Sequence, residues 1–234
     1  MKESYDILVI DDELVVIDSV IKIGEINNYS VDHASEAVSA FEKIENTNYR
    51  LIICDIMLPG MDGFQILQEL QKRKIETPVI MTTGYSSLEN AVKSLYLGAI
   101  DFVPKPFTFD EITNVIKRGF NYSRLLKSIE NDKTQITFVP CPHKYFRLGN
   151  SCWANSENDG SVSVGATDLY LKTIDNISKI ELLDVGETVN QASPLAKIET
   201  SDSSIHILFS AISGRIIDRN ENLIIDISIL EKDP

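Results

Sequence analysis

The chain has 234 residues, 43% of them hydrophobic, with 35 acidic against 22 basic side chains and a formal net charge of −13. This is enough apolar material for one large or two ordinary domains, and it argues against a globally disordered chain. The negative balance runs through both halves and would repel a nucleic-acid backbone, while no apolar run nears the roughly 20 residues that span a bilayer. Met1 to Asp6 is polar and acidic and lacks a basic-then-apolar signal pattern, so a cytoplasmic protein without membrane or nucleic-acid contact is expected. The three cysteines, Cys54, Cys141 and Cys152, fit a reducing compartment.

The first half alternates strand and helix. Tyr5–Ile10 is an almost unbroken apolar run, the signature of a parallel strand buried on both faces. Glu13–Asn27 has helical spacing, with Leu14, Ile17, Val20 and Ile21 on one side. Strand Ser30–His33, helix Ser35–Asn46, strand Leu51–Asp55 and helix Gly63–Arg73 follow. Strand Pro78–Thr82, helix Ser86–Leu97, strand Asp101–Val103 and helix Phe109–Leu126 complete five βα units. Such alternation predicts an α/β domain over 1–125, a five-stranded parallel sheet wound on both sides by helices.

Residues 126–136 are polar and read as a linker. Beyond them, short β-type runs recur at Gln135–Val139, Ser161–Gly165, Ile177–Leu182, Leu195–Glu199, Ile205–Phe209, Arg215–Asp218 and Leu223–Leu230, with glycine and proline turns between them. One helix is expected at Thr167–Thr173, capped by Thr167. Residues 137–234 therefore predict a β-rich barrel or sandwich without a helix-turn-helix. Cys141, His143, Cys152 and His206 could be drawn together into a metal site on paper, but there is no close C-x-x-C pair, and ordinary structural roles are the expectation.

The first half places polar residues where its apolar strands end: Asp11 and Asp12 after the first, Asp55 at the third, Thr83 after the fourth and Lys105 after the fifth. Ligands of open α/β sheets bind at that edge. Three nearby carboxylates repel one another and need a hard cation, and Mg²⁺ takes carboxylate, carbonyl and water oxygens. One carboxylate can then attack a phosphoryl group, with the metal and a lysine neutralising the added charge and a hydroxyl donating to a phosphoryl oxygen. Taken singly, each residue has a plain reading as a cap, turn or strand end; the spacing of the set points to phosphoryl chemistry.

Val9-Ile10-Asp11-Asp12-Glu13, Cys54-Asp55-Ile56-Met57-Leu58-Pro59-Gly60-Met61-Asp62-Gly63, Met81-Thr82-Thr83-Gly84 and Lys105-Pro106-Phe107 resemble the receiver domains of bacterial two-component response regulators. The resemblance implies a flavodoxin-like fold with Asp55 as phosphoacceptor. It makes Asp11, Asp12 and Asp55, with the backbone carbonyl of Met57, the Mg²⁺ ligands. Thr83 becomes the switch hydroxyl, Phe102 the switch aromatic and Lys105 the phosphate-pairing cation, with Lys105–Pro106 expected cis. The implied donor is a histidine kinase or phosphotransfer protein, and phosphorylation-dependent homodimerisation is a further expectation.

In the second half, His143-Lys144-Tyr145-Phe146, Asp159 to Asp168, Leu182 to Gly186, Ile198-Glu199-Thr200 and Ala211-Ile212-Ser213-Gly214 resemble, in that order, the H protein of the glycine cleavage system, a lipoyl-carrying barrel-sandwich hybrid. The family's lipoyl lysine would fall at Asp202, counted from Glu199, or at Ser203, counted back from Ser213-Gly214. There is no lysine between Ile198 and Ser213, and Lys197 lies in a predicted strand, so no lipoate is expected. The combined expectation is a phosphorelay protein with no metabolic activity of its own, signalling through a non-DNA-binding H-like module to a protein partner. The rival reading is a regulated lipoyl-type carrier in one-carbon metabolism.

Overall fold

The structure, a computed structural model, describes residues 3–85, 87–131 and 138–232, apart from the side chains of 129–131 and 231–232. Ser86, part of the expected 126–136 linker and most of the expected strand Gln135–Val139 lie outside the described residues. The chain divides into two compact units, Met1–Ser87 with Leu97–Ser123, and Leu88–Tyr96 with Arg124–Pro234.

In chain order the first half contains β1 (Glu3–Ile10), α1 (Leu14–Ile26), β2 (Val31–Ala34), α2 (Ala37–Asn46), β3 (Thr47–Asp55), α3 (Gly63–Lys72), β4 (Val79–Thr83), α4 (Leu88–Tyr96), β5 (Asp101–Pro104) and α5 (Phe109–Asn131). The strands form one parallel sheet in the order β2-β1-β3-β4-β5. Ile7–Ile10 and Leu51–Asp55 are buried without alternation, as a sheet covered on both faces requires. One face packs Ile7, Val9, Leu51, Ile53, Ile80 and Val103 under Ile17, Val20 and Ile23 of α1 and Ile112, Ile116 and Phe120 of α5. The other buries Leu8, Ile10, Ile52, Cys54, Met81 and Phe102, and α2 and α3 bury their own apolar stripes, including Phe41, Ile66, Leu67 and Leu70. Helix α5 runs to Asn131, five residues beyond its expected end at Leu126 and into the expected linker.

The second half contains β6 (Phe146–Leu148), β7 (Cys152–Ser156), β8 (Val162–Ala166), α6 (Asp168–Lys172), β9 (Ile177–Leu182), β10 (Thr188–Val189), β11 (Pro194–Thr200), β12 (Ile205–Phe209), β13 (Gly214–Arg215), α7 (Asn222–Ile225) and α8 (Ile229–Lys232). Two antiparallel three-stranded sheets, β6-β7-β8 and β12-β11-β9, join the short β10-β13 pair. Thr167 caps α6 as expected, its Oγ1 accepting from the Tyr170 N–H at 3.1 Å. Trp153 is fixed in β7 by donating its indole N–H to the Ala166 carbonyl at 2.8 Å, and its ring lies where a Cβ on Gly165 would meet it at 2.6 Å. The β-rich character stands, with local differences: strands β6, β7 and β10 fall outside the expected runs. Phe138 and Val139 are not strand; Val139 N–H donates instead to the Asp168 carboxylate. Of the expected strand Arg215–Asp218 only Arg215 is strand, forming β13 with Gly214 and pairing with β10. Leu223–Leu230 is not a strand but contains helical turns, because Asp226 N–H closes back on the Asn222 carbonyl at 2.8 Å and Ile224 and Ile225 stay exposed. No described helix is long and apolar enough to cross a membrane.

Candidate functional site

The order of strands reverses between β1 and β3, and the polar residues gather at the carboxyl ends of these two and their neighbours. The register pairs Ile10 with Cys54, which sets Asp11 beside Asp55; it then pairs Asp55 with Thr82 and Thr83 with Pro104. The resulting pocket brings together Asp11, Asp12 and Asp55, one carboxylate oxygen from each lying within 4.8 Å of the others. Asp11 and Asp55 are buried, and Asp12 faces solvent.

Lys105 reaches in from the end of β5, with only 8% of its side chain exposed. Its Nζ lies 2.7 Å from Asp11 Oδ2 and 3.3 Å from Asp55 Oδ1, and it donates to Glu13 Oε1 at 3.1 Å. The Asp55 contact is one of charge, since Asp55 Oδ1 is buried without a hydrogen bond. Asp11 is held at both oxygens, for its Oδ1 accepts from the Glu13 N–H at 3.0 Å. The Lys105–Pro106 peptide bond is cis.

These positions shape the ionisation. Burial pushes the Asp55 carboxyl above the usual carboxylate range; Lys105 opposes the shift and Asp11 adds to it. Burial also raises Asp11, against the pull of the Lys105 ion pair and the Glu13 N–H. Burial works against the Lys105 charge as well, but Asp11, Glu13 and Asp55 outweigh it and hold the ammonium above its ordinary value. A buried carboxylate oxygen without a hydrogen bond beside two more carboxylates is the donor set a hard divalent cation fits.

Thr83 is fully buried, and its Oγ1 accepts from the Tyr85 N–H at 3.1 Å. Phe102 sits on β5 opposite Met81 and is buried. Met57 lies in the loop after β3 with half its side chain exposed. That loop is shaped by Gly63, whose N–H donates to the Ile56 carbonyl at 2.9 Å, and by Asp62, which forms a capping box with Gln65 at the start of α3. Asp11, Asp12, Asp55, Thr83 and Lys105 are thus brought together as the sequence predicts, and Glu13 joins them without a role predicted from sequence. Its place beside Asp11-Asp12 was the signal available, but its contact with Lys105 crosses 92 residues.

In the second unit, Asp202 and Ser203 lie at the tip between β11 and β12. Asp202 Oδ1 accepts from Thr200 Oγ1 at 2.5 Å and from the Ser204 N–H at 3.2 Å, and Ser203 takes a left-handed φ of 64°. Lys197 lies inside β11 opposite Ile207, 3.5 Å from Glu181. Cys141, His143, Cys152 and His206 form no metal-binding group among the described residues.

Comparison with known proteins agrees with both halves. The family model of the response regulator receiver domain matches residues 7–117, and that of the glycine cleavage H-protein matches residues 144–234. Among curated relatives, the transcriptional regulatory protein ZraR of Klebsiella oxytoca is 32% identical over 129 residues, covering 54% of this chain and 28% of its own. The nitrogen assimilation regulatory protein NtrX of Azorhizobium caulinodans is 33% identical over 132 residues, covering 56% and 29%. This chain thus spans under a third of the length of either. Among solved structures, NtrX from Brucella abortus in complex with ADP superposes with a TM-score of 0.52 at 35% identity, covering 55% of this chain and 30% of that one. Residues 7–117 are therefore a response-regulator receiver domain, and residues 144–234 a glycine cleavage H-protein domain.

Proposed function

We propose that this response regulator accepts a phosphoryl group on Asp55 from a histidine kinase or phosphotransfer protein and passes its state to a protein partner through the H-protein-like domain. The observation that carries the reading is Asp55 Oδ1, buried without a hydrogen bond, 3.3 Å from the Lys105 ammonium and within reach of two further carboxylates. In the transfer, a carboxylate oxygen of Asp55 forms the new P–O bond as the donor's P–N bond breaks, and the released imidazole takes up a proton. Lys105 then pairs with a phosphoryl oxygen, and the Thr83 hydroxyl turns from the Tyr85 N–H to donate to another. Phe102 packs behind that movement. Asp11, Asp12, Asp55 and the Met57 carbonyl would hold Mg²⁺, which supplies charge neutralisation at the phosphoryl group.

The receiver's chemistry is its own phosphorylation and dephosphorylation, with no metabolic turnover. The acidic surface of both halves supports a protein partner rather than nucleic acid. The H-protein match favours a second reading, a regulated lipoyl-type carrier, but this needs an amine at the β11–β12 tip. Asp202 and Ser203 offer none, and Lys197 lies inside β11, paired with Glu181 of the neighbouring β9.

The test is incubation with Mg²⁺ and a small phosphodonor. An acid-stable, base-labile adduct that chelator abolishes supports the reading, and an unchanged intact mass contradicts it. Affinity capture with and without fluoroberyllate, alongside size-exclusion chromatography, then separates a heterologous partner from a phosphorylation-dependent homodimer.

A further inference from the structure

The Lys105 ammonium is shared among three carboxylates, and only two have been given a role. The third, Glu13, is the N-cap residue of α1, yet its side chain makes no capping hydrogen bond. It leaves that position, where a side-chain oxygen normally satisfies a helix N–H, and accepts from Lys105 Nζ at 3.1 Å. An ammonium carries three donors. Lys105 donates one to Glu13 Oε1 at 3.1 Å and pairs by charge with Asp11 Oδ2 at 2.7 Å, whereas Asp55 Oδ1 lies farther off at 3.3 Å and receives no hydrogen bond. The resting lysine is thus drawn to the Asp11 side of the pocket, away from the oxygen beside which a phosphoryl group would arrive. Glu13 is 61% exposed, so it can swing free without opening a cavity.

We propose that Glu13 is a positioning residue, a latch that competes with the incoming phosphoryl group for the Lys105 ammonium and sets how readily the site is occupied. This deepens the phosphoacceptor reading and rests on it. Each occupation of Asp55 breaks the Glu13–Lys105 contact and replaces it with a Lys105–phosphoryl contact. Because Glu13 acts through Lys105, its effect needs that lysine and the full length of the glutamate side chain. A carboxylate acting only through its long-range field on an anionic donor would need neither.

The experiment measures fluoroberyllate affinity, with Mg²⁺, and the rate of phosphorylation by acetyl phosphate in the full chain. The variants are Glu13→Gln, Glu13→Asp, Lys105→Met and the Glu13→Gln/Lys105→Met pair. Glu13→Gln is expected to tighten fluoroberyllate binding and speed phosphorylation about threefold, the scale of one partly exposed ion pair. Glu13→Asp, which keeps the charge but is one methylene shorter, should move in the same direction. In the Lys105→Met background, Glu13→Gln should change nothing. An equal gain in both backgrounds, or Glu13→Asp matching the parent while Glu13→Gln gains, would show a field effect and overturn the latch. No gain in Glu13→Gln overturns it too. If Lys105→Met fails to fold, the comparison of Glu13→Asp with Glu13→Gln still decides. A parent protein that takes up neither ligand at Asp55 would instead bring down the phosphoacceptor reading itself.

Discussion

Gly63 packs so closely on the backbone of Asp55 that a Cβ at position 63 would stand 2.2 Å from the Asp55 carbonyl oxygen and 2.9 Å from the Ile56 Cα. Both obstacles are backbone, so neither can rotate away. Gly63→Ala must push α3 off the end of β3 and tilt the Asp55 loop. We expect a loss of about 1–3 kcal/mol in stability, as for other overpacked sites, and slower phosphorylation at Asp55. Urea denaturation and the phosphorylation rate check the two effects; an alanine variant with parental values for both would contradict the close packing.

Asp55 is held above the usual carboxylate range, first by burial. A raised value favours the protonated form in the fold. Stability from this group is therefore full below the unfolded value, about 3.9, and is lost as pH rises through the folded one. Asp55→Asn should accordingly stabilise the protein at pH 7 in chelator, by on the order of 1 kcal/mol, with the gain vanishing below about pH 4. Mg²⁺ should raise the melting temperature of the parent more than that of the variant. Thermal melts at both pH values, with and without Mg²⁺, test the sign.

Asp32 behaves in the opposite sense. Burial would raise its carboxyl, but hydrogen bonds from Lys43 and Tyr49, each at 2.7 Å, and from the His33 N–H outweigh this and lower it. A lowered value gives stability that is present above the unfolded carboxyl value and lost as pH falls through the folded one. Asp32→Asn should cost about 1 kcal/mol at neutral pH, with the difference shrinking below about pH 4. Denaturant melts at neutral and acid pH measure it.

The β11–β12 tip offers a gain-of-function test. The parent protein, expressed with lipoate and a lipoylating enzyme, should keep its unmodified mass, because Asp202 and Ser203 carry no amine. Asp202→Lys places one at the tip, and removes the Asp202 contact with Thr200. If the H-protein fold is still recognised, intact mass spectrometry will show one lipoyl group on Asp202→Lys. Modification of Lys197 in the parent would instead support the carrier reading.

The receiver half was legible because its signals are local and strong. Each buried strand is an apolar run that stops at a polar residue, and Asp11, Asp55, Thr83 and Lys105 mark those ends in order. The second half was harder to read. Strand β7 alternates burial through Cys152 and Ala154, but these are small residues, Asn155 and Ser156 follow them, and Trp153 between them is the one strong strand former. Strands β10 and β13 hold two residues each and exist through pairing across the chain. The isoleucines of 223–230 looked like a strand, whereas Asn222 and Asp226 close helical turns there. The Glu13–Lys105 contact depends on tertiary structure alone and has no sequence period to betray it.

Borohydride trapping reads the phosphoryl group at Asp55 itself. An acyl phosphate is reduced to an alcohol, so a protein treated with phosphodonor, Mg²⁺ and borohydride should yield one peptide in which Asp55 has become homoserine. The peptide should be absent without donor or in chelator. Reduction at another carboxylate, or no reduced peptide at all, would rule out Asp55 as the phosphoacceptor.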